Sequence, residues 1–326
     1  MNNISKVSLI ETLYEKSGIP VFKGTLSNMP GDVAFTSHKL MLEGIDFDLM
    51  YTPLKHLGYK AVLATIGPVY AGGFTPASFS ITIAISARFT QPQLEELWEG
   101  VTTAAKEHKI PAISLDIFSS LTGMTISMMS NGKQRSKLFV HKPECRPGDL
   151  LCITGSLGAA YMGLQILERE KRVFEKNNTQ PKLEDYKTVL RPYLNPYIDI
   201  TLFDAMQSTS LVPSAGHFIT NGLADSVKRI CLNNKTGAKI FLDKIPLSSD
   251  VTTVAQELNI DPMTAVLNGG EDFQFLFSFP LEKHELLLKE MPQLDIIGHL
   301  ADPDAGANLV TPDGKEIALK AQAWDK

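Results

Sequence analysis

Three short runs of this 326-residue chain combine glycines with groups able to hold charge. Gly155-Ser156-Leu157-Gly158 follows the apolar run Leu150–Thr154 and precedes a helical pattern that begins near Ala159. A strand, a glycine turn and a helix N-terminus leave backbone N–H groups free to cradle an anion, although the same glycines also serve a plain tight turn. The segment from His217 to Leu223 reads the same way, strand into turn into helix, with Thr220-Asn221-Gly222 at the turn. Asn268-Gly269-Gly270-Glu271-Asp272 places two carboxylates behind a glycine pair at the entry to the strand Phe273–Phe279. Acids in that position either meet a ligand or cap the turn. His141 and Cys145 come nearest to metal-ligand spacing but lack a second pair, which argues against zinc.

The elements that position these groups follow from periodicity. In Ala34–Pro76, a strand closes at Glu43-Gly44 and a helix opens after Tyr51-Thr52-Pro53, with Leu54, Leu57, Gly58, Ala61, Val62 and Thr65 on one face. Gly67-Pro68 is expected to end it, because proline has no N–H for another turn. Ser78–Ala87 alternates as a half-buried strand, and Gln91–His108 follows as a helix. Strands are expected at Ala112–Leu115 and Met124–Met129, with Asp116 at the end of the first. Lys133–Pro147 is polar and bears prolines, placing a domain junction that divides the chain into 1–142 and 143–326. Asn177–Tyr197, with three prolines, reads as an irregular excursion. Helices and strands do not alternate evenly, so the expected class is α+β.

Composition narrows the function. A 44% hydrophobic chain of this length buries a sizeable core, and a formal charge of −5 gives no basic footprint for nucleic acid. No run approaches the roughly 20 apolar residues of a membrane span, and the first 16 residues lack a signal-peptide core, so the expectation is a cytoplasmic protein. Cys145, Cys152 and Cys231 show no close pairing and read as reduced thiols.

The runs LEGIDFDL, YTPLKHLGYKAV, PGDLLCITGSLGAAYMGLQILEREK and NGGEDF, spread over essentially the whole chain, resemble the thiamine-monophosphate kinases. Their two-domain fold is shared with aminoimidazole ribonucleotide synthetase. The resemblance implies ATP and magnesium as cofactors and a cluster of metal-binding aspartates. Carried over position by position, that cluster falls on Asn28 or Val33, then Lys39, Pro68, Asp116, Phe218 and Asn221, so that only Asp116 keeps its carboxylate. Asp116 is thus a weak metal candidate or a strand-end cap. Two alignments of the metal motif, on Lys23–Asn28 or Gly31–Val33, both lack the second aspartate. The same transfer makes Lys39, Lys142, Thr220 and Asn221 candidates for nucleotide or phosphate, with Lys142 otherwise a solvated surface lysine. It makes Asp46, Glu271 and Trp324 candidates for substrate, with Trp324 otherwise packed on its own domain.

The expectation that follows is a catalytically impaired relative that binds a small phosphorylated or heterocyclic ligand or regulates a partner. An active ATP-dependent enzyme with an altered metal site and a ligand-free structural dimer stand as alternatives. A homodimer through the N-terminal domain is expected from the apolar face of Ser78–Ala87. With lysine in place of an acid at position 39, the cleft is expected to be electropositive, Lys39 contacting phosphate directly unless it only reaches into solvent.

Overall fold

The computed structural model describes residues 7, 35–136, 139 and 142–324. The helix expected at Leu9–Lys16 and both stretches offered for the metal motif lie outside the described residues. Phe35–Leu42 (β1), Phe74–Ile85 (β2), Ile113–Ser119 (β3) and Thr125–Gln134 (β4) form a sheet in the order β1-β4-β2-β3. β4 runs antiparallel to both neighbours, and β3 runs parallel to β2 along the edge. Leu54–Ala71 (α1) and Gln91–Glu107 (α2) share a core with the inward row Phe79, Ile81 and Ile83 of β2.

That packing covers the very face expected to invite a second chain. The apolar row left open lies one strand further out, on β3, where Ile113, Leu115 and Ile117 are 37%, 40% and 46% exposed. β3 also runs on past Leu115, since Ile113, Leu115 and Ile117 keep alternating through the single acid. Asp116 therefore lies mid-strand opposite Thr82, and its Oδ1 accepts from the Ile117 N–H at 2.8 Å.

Pro68 does not end α1. The missing N–H and the ring cost about 3 kcal/mol in a helix interior. Burial of Val69, Tyr70 and Ala71 offsets this at about 1.5–3 kcal/mol for each large side chain. The last turn closes with the Gly72 N–H donating to the Pro68 carbonyl at 3.0 Å.

The second sheet holds, among the described residues, seven strands in the order β11-β10-β7-β9-β5-β8-β6. They are Leu150–Thr154 (β5), Ala215–Ile219 (β6), Gly237–Phe241 (β7), Gln274–Phe279 (β8), Leu294–Ala301 (β9), Ala307–Val310 (β10) and Glu316–Ala318 (β11). Its helices are Ala159–Asn177 (α3), Lys187–Leu194 (α4), Thr201–Ser208 (α5), Leu223–Asn234 (α6), Ser249–Leu258 (α7), Pro262–Asn268 (α8) and His284–Glu290 (α9). The excursion expected at Asn177–Tyr197 contains α4, because Val189, Leu190 and Tyr193 recur at helical spacing and bury against α3 despite Pro192. The fold is α+β.

One buried cluster runs through both sheets, from Ile66 and Ile81 to Phe218 and Phe277. At its centre Phe218, 2% exposed, stacks on Phe273 at 5.3 Å. A Cβ on Gly67 would stand 2.2 Å from the Phe218 ring, so only glycine lets α1 approach it. Among the described residues no helix is long and apolar enough to cross a membrane. Cys152 and Cys231 are buried, Cys145 is half-buried, and all three are free thiols.

Two buried histidines tie stability to pH. His108 meets the Tyr70 hydroxyl at 3.1 Å through Nδ1, and burial lowers its pKa from 6.5 to about 4. Burial lowers His217 to about 4 as well. Below about pH 6.5 the unfolded chain binds protons that the folded chain refuses, so each histidine subtracts stability as pH falls towards 4. In chemical denaturation across that range, His108→Gln should lose less than the native chain, the gap changing by on the order of 3 kcal/mol at most. Parallel curves would contradict a buried neutral His108.

Candidate functional site

A cleft of about 670 Å³ lies between the β1 side of the first sheet and helices α3, α6 and α8. It gathers five of the sequence candidates: Lys39, Asp46, Thr220, Asn221 and Glu271. Trp324 is one contact away, donating from Nε1 to Asp225 Oδ1 at 2.6 Å, and Asp225 lines the cleft. Trp324 thus packs on its own half of the chain.

Lys142 and Asp116 are not part of this cleft. Lys142 is not a solvated lysine either. Its ammonium donates to the Ser214 carbonyl at 2.8 Å, and burial lowers its pKa.

Two turns build the floor. The Glu271 N–H donates to the Thr220 carbonyl at 3.0 Å, which docks the Asn268–Asp272 turn on the Thr220–Gly222 turn. A Cβ on Gly270 would approach the Thr220 oxygen to 2.5 Å, and Gly270 has φ +75°, so both space and backbone call for glycine there. Glu271 and Phe273 also take positive φ, 60° and 51°, strain of a kind that gathers at binding sites.

The glycine turn Gly155–Gly158 already holds a carboxyl group, and it belongs to the protein. Asp272 Oδ2 accepts from the Gly158 N–H at 3.0 Å and Oδ1 from the Ala160 N–H at 3.3 Å, filling the N-terminus of α3. Burial pushes the Asp272 carboxyl up to about 7, against the two N–H bonds that favour its charge.

The sequence led to the expectation of an electropositive cleft, but its lining is of mixed charge. Asp46, Asp48, Glu168, Asp225 and Glu271 line it beside Lys39, Lys171 and Arg229. The transferred positions gave no sign of Asp48, Glu168 or Asp225. Most of these charges are paired. Lys171 Nζ donates to Asp48 Oδ2 at 2.5 Å, Arg229 Nε to Asp225 Oδ2 at 2.8 Å, and the Tyr51 hydroxyl to Glu168 Oε1 at 2.6 Å. Asp46 Oδ2 accepts from the Leu42 N–H at 2.8 Å. Glu271 forms an ion pair with Lys60, a buried residue of α1. Lys39 has no ion-pair partner among the described residues.

Magnesium wants several oxygen ligands at once, usually from carboxylates. Among the described residues, no three His, Cys, Asp or Glu side chains converge on a metal-sized site. The acids of the cleft are taken up by ammonium, guanidinium, hydroxyl and backbone donors. The donor set among the described residues does not fit the ion that the resemblance implies.

Residues 16–133 match the family described as AIR synthase related protein, N-terminal domain. The thiamine-monophosphate kinase of Aquifex aeolicus is 27% identical over 95% of this chain and 98% of its own length. A putative hydrogenase expression/formation protein of Methanocaldococcus jannaschii is 24% identical over 94% of this chain and 85% of its own. Among solved structures, AaThiL complexed with AMPPCP and TMP superposes with a TM-score of 0.80 at 22% identity, covering 98% of this chain and 97% of that one. A HypE–HypF complex gives 0.68 at 16% identity, covering 96% and 99%. The chain is similar over nearly its whole length to thiamine-monophosphate kinases, and it carries the AIR synthase-related fold.

Proposed function

We propose that this chain is a thiamine-monophosphate kinase-like protein without ordinary magnesium-dependent turnover, which binds a small phosphorylated ligand in the 670 Å³ cleft. The observation that carries the reading is the state of the cleft's charges: its acids already have partners, while Lys39 has no ion-pair partner among the described residues. An ammonium is a compact charge with three donors and contacts phosphate directly, with no ion between them. At two positions where the family's aspartates would fall, Pro68 stands inside α1 and Phe218 is buried against Gly67. On this reading the protein is a cytoplasmic homodimer of two domains, 1–142 and 143–326. Lys39, Thr220 and Asn221 face the phosphate, and Asp46 and Glu271 face the rest of the ligand.

Titration calorimetry with inorganic pyrophosphate in EDTA tests it. Binding should persist in the chelator and weaken with salt. Lys39→Ala should weaken it by about 1.5–3 kcal/mol, the worth of a charge-assisted hydrogen bond. Unchanged affinity in Lys39→Ala, or binding that requires magnesium, would count against the reading. So would phosphate transfer to thiamine monophosphate at about 1–100 per second, the range of working kinases.

A further inference from the structure

We infer that Lys60 decides the charge of the ligand this cleft accepts. Its ammonium holds, from inside the protein, the place at Glu271 that a cationic ring would need. The inference rests on the reading of the cleft as a ligand site.

Lys60 sits in the middle of α1 and is 2% exposed, although lysines are almost never buried without a partner. Its ammonium has two partners, both from the second half of the chain. One is the Glu271 carboxylate, and the other is the face of the Tyr193 ring, 3.7 Å from Nζ to the centroid. A carboxylate and an aromatic face are what a protein offers a small organic cation. Here both are engaged by a side chain of the same protein.

The exposures show which partner meets a ligand. The Lys60 side chain is 3% exposed and the Glu271 side chain 26%, and both Glu271 and Tyr193 line the cleft. A ligand therefore reaches the carboxylate from one side while the lysine holds it from the other. A cationic ring competes with an ammonium tethered beside the acid, at high effective concentration. Winning that competition would strand Lys60 in the core with its charge unpaired, which is a strong penalty. Selectivity thus comes from a built-in repulsive element as well as from contacts. The ligand class assigned is a phosphate-bearing molecule whose ring carries no positive charge.

The experiment compares the full-length native chain with Lys60→Met by titration calorimetry. The probes are thiamine, a cationic ring without phosphate, and inorganic pyrophosphate. The native chain should bind pyrophosphate and show no measurable heat with thiamine, whereas Lys60→Met should bind thiamine at least tenfold more tightly than the native chain. Equal thiamine affinity in the two overturns the proposal. Lys60→Gln keeps a donor for Glu271 and takes the place of Lys60→Met, with the same expectation, if the methionine variant does not fold. In Lys60→Met with Glu271→Gln the gain should vanish, and its persistence would also overturn the proposal. Failure of the native chain to bind pyrophosphate strikes the ligand-site reading alone, since a thiamine gain in Lys60→Met would still report on Lys60.

Discussion

Phe218→Asp should leave the protein largely unfolded at room temperature and should not yield a kinase. The substitution returns an acid to a position where the family resemblance calls for one, but this position no longer faces solvent. The ring is 2% exposed, stacked on Phe273 at 5.3 Å and tilted against Phe275 at 5.0 Å. Removing a buried phenylalanine costs about 3–5 kcal/mol. A carboxylate left unpaired in its place adds a desolvation penalty or is protonated. Against a total stability of about 5–15 kcal/mol, the loss is decisive. Phe218→Leu, which keeps most of the volume, should fold and serves as the control. Circular dichroism melts decide it. Phe218→Asp within about 1 kcal/mol of the native chain would mean that the pocket opens readily and that the metal position is closed only in appearance.

The second large effect concerns β3. Leu115 and Ile117 stand in register with Ile81 and Ile83, on the face that α1 and α2 cover further in, but neither helix screens them from solvent. β3 is also an edge strand, with a row of backbone donors and acceptors available to another chain. The proposed homodimer uses this edge. Replacing Leu115 and Ile117 together by lysine should turn the dimer into a monomer in analytical ultracentrifugation, with the helical content unchanged. Two such side chains fully buried at an interface contribute about 1.5–3 kcal/mol each, so dissociation should become easier by about 100-fold or more. A native chain that sediments as a monomer at micromolar concentration would remove the proposal.

Local pattern carried much of this fold. The alternation of β2, the apolar stripe of α2 and the glycine turns before α3 and α6 were legible because each depends on neighbours in sequence. Reading failed where tertiary burial outweighed a local rule. Pro68 stays helical because Val69 and Tyr70 are packed, α4 tolerates Pro192 because Tyr193 and Leu190 bury against α3, and β3 carries Asp116 because β2 supplies its ladder. α9 was not foreseen.

The same contrast holds in the cleft. Lys39, Asp46, Thr220, Asn221 and Glu271 came from a position-by-position transfer, and the structure brings them together. The other charges of the cleft could not come that way, since none stands at a transferred position: Lys171 meets Asp48 from a distant segment, and Arg229 meets Asp225 one turn away on α6. Lys60 had a signal that went unread. α1 is apolar almost all round, the mark of a buried helix, and a lysine in the middle of such a helix requires a counter-charge elsewhere in the fold. Asp272 likewise reads as a turn cap, and only the fold shows that the cradle it fills is the one at Gly158.

The core that passes from Ile66 through Phe218 to Phe277 bears on how the cleft can move. Proteins that swallow a ligand by domain closure carry a hinge, a few loop residues that absorb the rotation while two separately packed bodies swing. Here the two walls rest on one continuous aromatic stack, wedged at Gly67, and such packing transmits strain instead of yielding to it. Capture by wholesale closure would have to pull Phe218 out of its seat. Among the described residues, that leaves adjustment of side chains at the rim, such as Lys39 and the Lys171–Asp48 pair, as the simpler way to admit a ligand.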